Sequence, residues 1–173
     1  NQQSENPDEE NIKIMKALFE KEGFEVTVRN RAATLTVMDL AGQTEMTPEK
    51  QALMGEFFCG VEDFKKKQDL YVYVANMETK SNNTIIRLEW NVLFVVGDDA
   101  PWFTEEVPTL FVSMQNPYHL FDAPMMKTYI NAYDNNQFSR EALMDKLMGR
   151  SEFKGKSPVD PYCGNTYIKM MGE

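Results

Sequence analysis

The sequence predicts an α/β fold, a three-layer αβα sandwich on a mostly parallel sheet, and three observations predict it. Two short runs, Asp69–Ala75 and Pro108–Met114, are almost continuously apolar, as strands buried on both faces are. Helical patterns with recognisable starts and stops alternate with such runs along the chain. The 173 residues, 42% hydrophobic and 26% charged, suit one domain with a sizeable core.

Each element has its own signal. Asn6 can cap a first helix, with Pro7 at its first position and Glu9 three residues after the cap. Ile12, Met15, Leu18 and Phe19 then recur at helical spacing, and Gly23 is a natural stop. Phe24, Val26 and Val28 alternate as a half-buried strand does, and Leu35–Leu40 reads as a second strand. Thr47, Pro48 and Glu49 open a helix whose apolar face (Leu53, Phe57, Val61, Phe64) runs to about Lys66. Gly55 and Gly60 each weaken it by about 1 kcal/mol. The buried run at Asp69–Ala75 follows.

Residues 76–84 are polar and turn-like, Ile85–Trp90 reads as a strand or an extended loop, and Gly97–Pro101 is a break. Pro108–Met114 is the second buried strand, ended by the turn at Asn116-Pro117. A short helix near Tyr118–Phe121 and a strand at Lys127–Tyr133 come next. Ser139 reads as the cap of a last helix, with Leu143, Met144, Leu147 and Met148 as its buried stripe and Gly149 as its stop. From Arg150 the tail is turn-rich, with one strand-like piece at Lys156–Asp160. No internal repeat is present.

Charge narrows the partners. The formal net charge is -9, which repels phosphate backbones and anionic lipid surfaces, so neither nucleic acid nor a membrane is expected as a partner. Lys65, Lys66 and Lys67 read as the solvated, dipole-complementing end of a helix. Two cysteines, Cys59 and Cys163, with one histidine, make neither a disulfide scaffold nor a zinc site. No apolar stretch reaches the roughly 20 residues that span a bilayer. The chain opens on Asn1 with no signal-peptide pattern, which fits a processed or excised piece.

Little in the residues points to chemistry. There is no G-x-G-x-x-G and no G-x-x-x-x-G-K-[ST], and the loops after the buried strands are not glycine-rich, so no cofactor is expected. Any triad or dyad would have to use His119, which follows Asn116-Pro117-Tyr118 at the end of a strand; a lone loop histidine is expected at a surface or interface. Glycosidic chemistry needs two carboxyl groups across a bond. Glu89, flanked by Arg87 and Trp90, is the most suggestive carboxylate: the ring would stack on a sugar and the arginine would keep the carboxylate ionised. The plainer reading puts Trp90 in a core or interface and pairs Arg87 with Glu89. Asp98-Asp99 beside Pro101-Trp102-Phe103 lack the spaced ligands of a calcium loop, so no metal is expected, and the aromatics there suit an interdomain contact.

The C-terminal third carries more. The stretch VPTLFVSMQNPYHLFDAP, Val107–Pro124, resembles a strand and turn of family 3 glycoside hydrolase C-terminal domains, in which an Asn-Pro-Tyr turn follows the strand and a proline closes the next segment. Lys127–Tyr133 resembles the family's following strand, the helix from Ser139 to Gly149 comes next, and Gly155, Ser157, Pro158 and Val159 resemble its G-x-[LS]-P-V segment. The resemblance covers about Val107–Asp160; earlier residues match only in general pattern, best at DLYVYVAN around Tyr71.

The resemblance implies a flavodoxin-like domain over residues 1–173, non-catalytic in itself. It would pack on an N-terminal catalytic (β/α)8 barrel in cis that hydrolyses β-N-acetylglucosaminides or related β-glycosides. The β-N-acetylhexosaminidase-like branch is the most similar, and there the nucleophilic aspartate and its histidine partner belong to the barrel. That barrel's Lys-His-x-Pro-Gly-His-Gly type motif is absent here. In the β-glucosidase branch the acid/base glutamate comes from the C-terminal domain, but nothing in this sequence matches its surroundings, so no catalytic role is carried over. Loops at 76–83, 90–103 and 115–122 are expected to meet the barrel or rim its substrate, with Arg87, Glu89, Trp90, Trp102, Asn116, Tyr118 and His119 as lining residues. Two rivals are a stand-alone carbohydrate-binding module with Trp102-Phe103 as its platform, and a flavodoxin-like nucleotide- or flavin-binding domain, against which the missing phosphate loop speaks.

Overall fold

The computed structural model describes residues 7–28, 37–57, 66, 68–76, 92–93, 96–97 and 103–172. Five helices are described: α1 (Pro7–Lys21), α2 (Val37–Leu40), α3 (Pro48–Phe57), α4 (Gln137–Leu147) and α5 (Thr166–Gly172). The strands are β1 (Tyr71–Ala75), β2 (Val92–Leu93), β3 (Val96–Gly97), β4 (Thr109–Ser113) and β5 (Thr128–Asn131), and a 3-10 turn covers His119–Phe121. The chain divides into two units: residues 1–28, 72–87 and 110–173, and residues 29–71 and 88–109.

The main sheet has the order β1-β4-β5. β4 and β5 are parallel, with Leu110 opposite Thr128 and Ser113 opposite Asn131. The Tyr71 N–H donates to Pro108 and the Met114 N–H donates to Ala75, so β1 advances alongside β4 in the same direction. All five residues of β4 are buried, which is why that run carries so little polar sequence. β1 reads similarly, but among the described strands it stands at the end of the order, and Val74 is 36% exposed. The expectation that Asp69–Ala75 is buried on both faces is corrected accordingly, since an apolar run does not reveal how fully each of its residues is covered.

Alternation along the strands divides the side chains between two faces. Leu110, Val112 and Met114 pack with Met15 and Phe19 of α1 and Leu143 and Met144 of α4 in one buried cluster, and Val72 and Ile130 extend it along the sheet. The two helices lie side by side in the same direction. Near their starts Arg140 and Asn135 donate to the Asn11 side chain at 3.0 and 2.9 Å. Beyond their ends Arg150 forks onto both carboxylate oxygens of Glu22 at 2.8 Å and onto Asp145 at 2.7 Å. That arginine holds the Glu22 carboxyl below its ordinary range.

Among the described residues the helix signals hold with one exception, and Asn6, the expected cap of the first helix, lies outside them. α1 begins at Pro7 and is ended by Gly23, whose φ of +93° is left-handed, as expected. In α4 the cap is Asn136 rather than Ser139: the Asn136 side chain accepts the Ser139 N–H at 2.9 Å. A capping donor and its acceptor lie three residues apart, and both residue types fit the same signal. Gly149, φ +72°, ends this helix.

Several strand expectations fail. Residues 24–28 form no strand; Val26 packs on the core, but Phe24 and Val28, which share its parity, are each 42% exposed. Val37–Leu40 is a helical turn rather than the strand expected over Leu35–Leu40. No strand forms at 156–160, and α5 stands in a tail expected to be turns. Gly97, expected in a break, pairs antiparallel with Val92. Ile85–Trp90, and the helix face expected from Val61 to Phe64, lie outside the described residues.

In the second unit, Asp39 is 1% exposed and its carboxylate accepts from Lys50 Nζ at 2.6 Å and from the Thr44 hydroxyl. A buried carboxylate needs such partners. Thr47 precedes α3 and accepts the Lys50 N–H at 3.3 Å, so it caps the helix expected to open there. None of the described helices is long and apolar enough to cross a membrane.

Two substitutions separate core from cap. Leu143→Ala, which hollows the cluster between sheet and helices, is expected to cost about 2–5 kcal/mol in urea unfolding. Asn136→Ala, which removes only the cap, is expected to cost about 1 kcal/mol.

Candidate functional site at the end of the central strand

In open α/β sheets ligand crevices form beyond the carboxyl ends of the strands, and β4 delivers three of the sequence's polar candidates there. Ser113, the last residue of β4, lies on the face opposite the helices with Phe111. The chain then turns: the Asn116 side chain accepts the Tyr118 N–H at 2.9 Å, and the Asn131 amide donates to the Pro117 carbonyl at 3.4 Å. Asn131 is the β5 residue in register with Ser113, so both strand ends hold the same turn.

His119 closes this turn from inside. It is fully buried, and its Nδ1 lies 2.8 Å from Ser113 Oγ, which itself donates to the Asn116 carbonyl. A carbonyl can only accept, so the single Ser113 proton is committed to Asn116. The imidazole must then donate Nδ1–H, which assigns its neutral tautomer. Burial depresses the His119 pKa to about 4, with Asp122 pulling the other way, so the ring is neutral at pH 7. Around it the aromatic rings align across the sheet: Phe111 stacks between Tyr73 at 6.3 Å and Tyr129 at 5.3 Å, and His119 meets it edge-on at 6.1 Å. Burial also pushes the Tyr129 hydroxyl up to about 12.

A serine and a histidine in contact at the end of a parallel strand look like a nucleophile and its base, but the chemistry does not follow. The serine proton points at a carbonyl rather than at the ring. The ring nitrogen facing the serine is a donor and cannot take a proton. Ser113 and His119 are 1% and 0% exposed, so no substrate atom reaches either. The pair is a fastener for the Asn116-Pro117-Tyr118 turn. The expectation that a lone loop histidine sits at a surface is corrected: His119 and Asn116 are both 0% exposed, and only Tyr118 of this group is partly open.

The accessible part of this edge comes from Gln115 and Asn76, which lie in loops expected at a contact, and from Tyr133, expected only as the end of a strand. Gln115 donates to the Asn76 side chain at 2.8 Å, joining the ends of β4 and β1. Tyr133, just beyond β5, is 43% exposed, has a φ of +63° and donates to Ser157 Oγ at 2.8 Å. A tyrosine in the left-handed region is strained, and this hydrogen bond helps hold it. The signal for Tyr133 was present as the tyrosine that closes the expected strand.

Arg87, Glu89, Trp90 and Trp102 lie outside the described residues, as do Asp98, Asp99 and Cys59. Cys163 is exposed as a free thiol. Among the described residues no group of three His, Cys, Asp or Glu side chains could hold a metal ion.

Comparison with known proteins agrees with this architecture. No family model matches the chain. A curated relative from Cellulomonas fimi, a beta-N-acetylglucosaminidase/beta-glucosidase, is 44% identical over 102 residues, which is 59% of this chain and 18% of the relative. A solved beta-glucoside phosphorylase, BglX bound to 2FGlc, aligns over 93% of this chain and 25% of its own with 41% identity and a TM-score of 0.67. A second structure of beta-glucoside phosphorylase BglX aligns over 97% of this chain and 25% of its own, at 39% identity and a TM-score of 0.67.

The class is therefore an α/β domain with the fold of the family 3 glycoside hydrolase C-terminal domain. The resemblance carried by the Asn-Pro-Tyr turn and the Gly-x-Ser-Pro-Val segment holds in sequence and in structure. The chain spans only 18–25% of the length of these relatives, so it corresponds to a small domain of such a protein.

Two consequences are measurable. Ser113→Ala strips the buried Nδ1–H of its acceptor and is expected to cost about 1–3 kcal/mol. His119 ionises near 6.5 when unfolded and near 4 when folded, so between these values the unfolded chain binds more protons. Its contribution is complete above pH 6.5 and is lost as pH falls towards 4, by about 3 kcal/mol in total. Urea midpoints at pH 7, 6 and 5 should fall more steeply for the unaltered chain than for His119→Gln; equal slopes would remove His119 as the cause.

Proposed function

We propose that the chain is the non-catalytic C-terminal domain of a family 3 glycoside hydrolase. It packs in cis on an N-terminal (β/α)8 barrel that acts on β-N-acetylglucosaminides or related β-glycosides. One observation carries the non-catalytic role: the only histidine is sealed inside the domain, with its serine-facing nitrogen committed as a donor. The short span relative to known proteins supports a barrel in the same polypeptide. The turn held by Asn116 and His119 then presents Gln115 and Tyr118 towards that barrel. Arg87, Glu89, Trp90 and Trp102 are proposed as rim or contact residues, with carbohydrate as the ligand they would meet.

A second reading concerns the acceptor. The solved relatives are beta-glucoside phosphorylases, and in this reading the barrel passes the glycosyl group to phosphate instead of water. The assay that decides uses aryl β-N-acetylglucosaminide and aryl β-glucoside, with this chain alone and joined to its barrel, with and without inorganic phosphate. Activity is expected only with the barrel. A sugar 1-phosphate product formed on adding phosphate selects phosphorolysis, and free sugar alone selects hydrolysis. Turnover by the isolated chain would overturn the non-catalytic role. In the joined protein, Trp90→Ala and Trp102→Ala are each expected to raise KM several-fold or to lower the Tm; no change in either quantity would remove these residues from the rim.

A further inference from the structure

The last helix exposes what a short helix normally hides. α5 spans seven residues, about 10 Å of helix, and helices this short are not stable by themselves in water. Its start is well made. Asp160 accepts the Tyr162 and Gly164 N–H groups at 3.1 and 2.7 Å, Gly164 turns the chain at φ +75°, and the Asn165 side chain accepts the Ile168 N–H at 3.1 Å. Ile168 is half-buried, whereas Tyr167, Met170 and Met171 are 72%, 72% and 59% exposed. The spacing 167, 170, 171 places these three on one face of the helix. Scattered exposed apolar residues are ordinary, but three on one face of a helix with so little buried surface are not. Tyrosine and methionine are also types enriched where proteins touch.

We infer that this face of α5, made by Tyr167, Met170 and Met171, is the seat of a neighbouring domain of the same polypeptide; the inference rests on the reading that the chain is one domain of a longer enzyme. Size and charge select that occupant. Two free partners need about 1,200 Å² of buried surface for a stable contact, and one face of a 10 Å helix supplies a small part of it. A net charge of -9 further opposes pairing with a second copy. A tethered domain meets neither obstacle, because linkage raises its effective concentration to about the millimolar range and lets a small apolar patch hold. Relatives of which this chain is only 18–25% provide for such a body. The facing surface is apolar, with an acceptor or donor at its rim for the Tyr167 hydroxyl.

Amide hydrogen exchange on the isolated chain and on the full-length protein tests this, together with the variant Tyr167→Ser, Met170→Gln, Met171→Gln. Exchange at residues 166–172 is expected to slow at least tenfold in the full-length protein. The triple variant should abolish that protection while leaving the urea midpoint of the isolated chain unchanged. Protection that appears elsewhere on this chain but not at α5 would overturn the inference and leave the domain reading standing. No protection anywhere on this chain would remove both. Concentration-dependent dimerisation of the isolated chain in sedimentation, lost in the triple variant, would make the occupant a second copy and overturn the inference.

Discussion

The burial of β4 on both faces is the constraint from which the rest follows. A strand with no solvent-facing side must be covered twice, and its two parities meet different surroundings. Leu110, Val112 and Met114 bind α1 and α4 into one apolar cluster, while Phe111 and Ser113 face aromatic rings and a histidine. Since stabilisation scales with apolar area removed from water, the first face supplies cohesion. The second face spends part of its area on polar groups, and those groups give the strand a defined ending.

That ending is a short chain of hydrogen bonds with one consistent direction. His119 donates to Ser113, Ser113 donates to Asn116, and Asn116 receives Tyr118 through its side chain. The Ser113 donation to the Asn116 carbonyl sets the histidine tautomer, and the Asn116 side chain sets the loop. The same geometry that would suggest catalysis in an open cleft becomes structural once it is sealed. Burial decides between the two roles, because a general base needs both a free lone pair and access to its proton.

The comparisons give this geometry its setting. A domain that matches a quarter of its solved relatives at a TM-score of 0.67 is a component, and its surfaces have meaning in relation to what it is attached to. The polar bridge from Gln115 to Asn76, the strained Tyr133 and the uncovered face of α5 have no evident use on a solitary domain. Beside the proposed barrel they are the natural places for contact and support.

Much of this was legible in the residues. Helix α1, the strand β4, the turn after it, β5 and the body of α4 follow from period and punctuation: Met15 with Phe19, the run TLFVS, Asn116-Pro117, and Leu143-Met144 before Gly149. These signals are local, and local sterics and hydrophobic period determine them. What the sequence could not supply was position within the whole. Apolar runs at β1 and β4 read alike, yet among the described strands one ends the order and the other is its centre, because strand order depends on which segments meet across tens of residues. Alternation at Phe24–Val28 found no partner strand, and Val37–Leu40 closed into a helical turn instead of extending. His119 looked like a surface histidine because its burial is conferred by Phe111, Ser113 and the way the turn folds back on the strand end, which its own neighbours in sequence do not reveal. Residue type and spacing determined which elements form; long-range packing decided which side chains are sealed, and with that which of them can act.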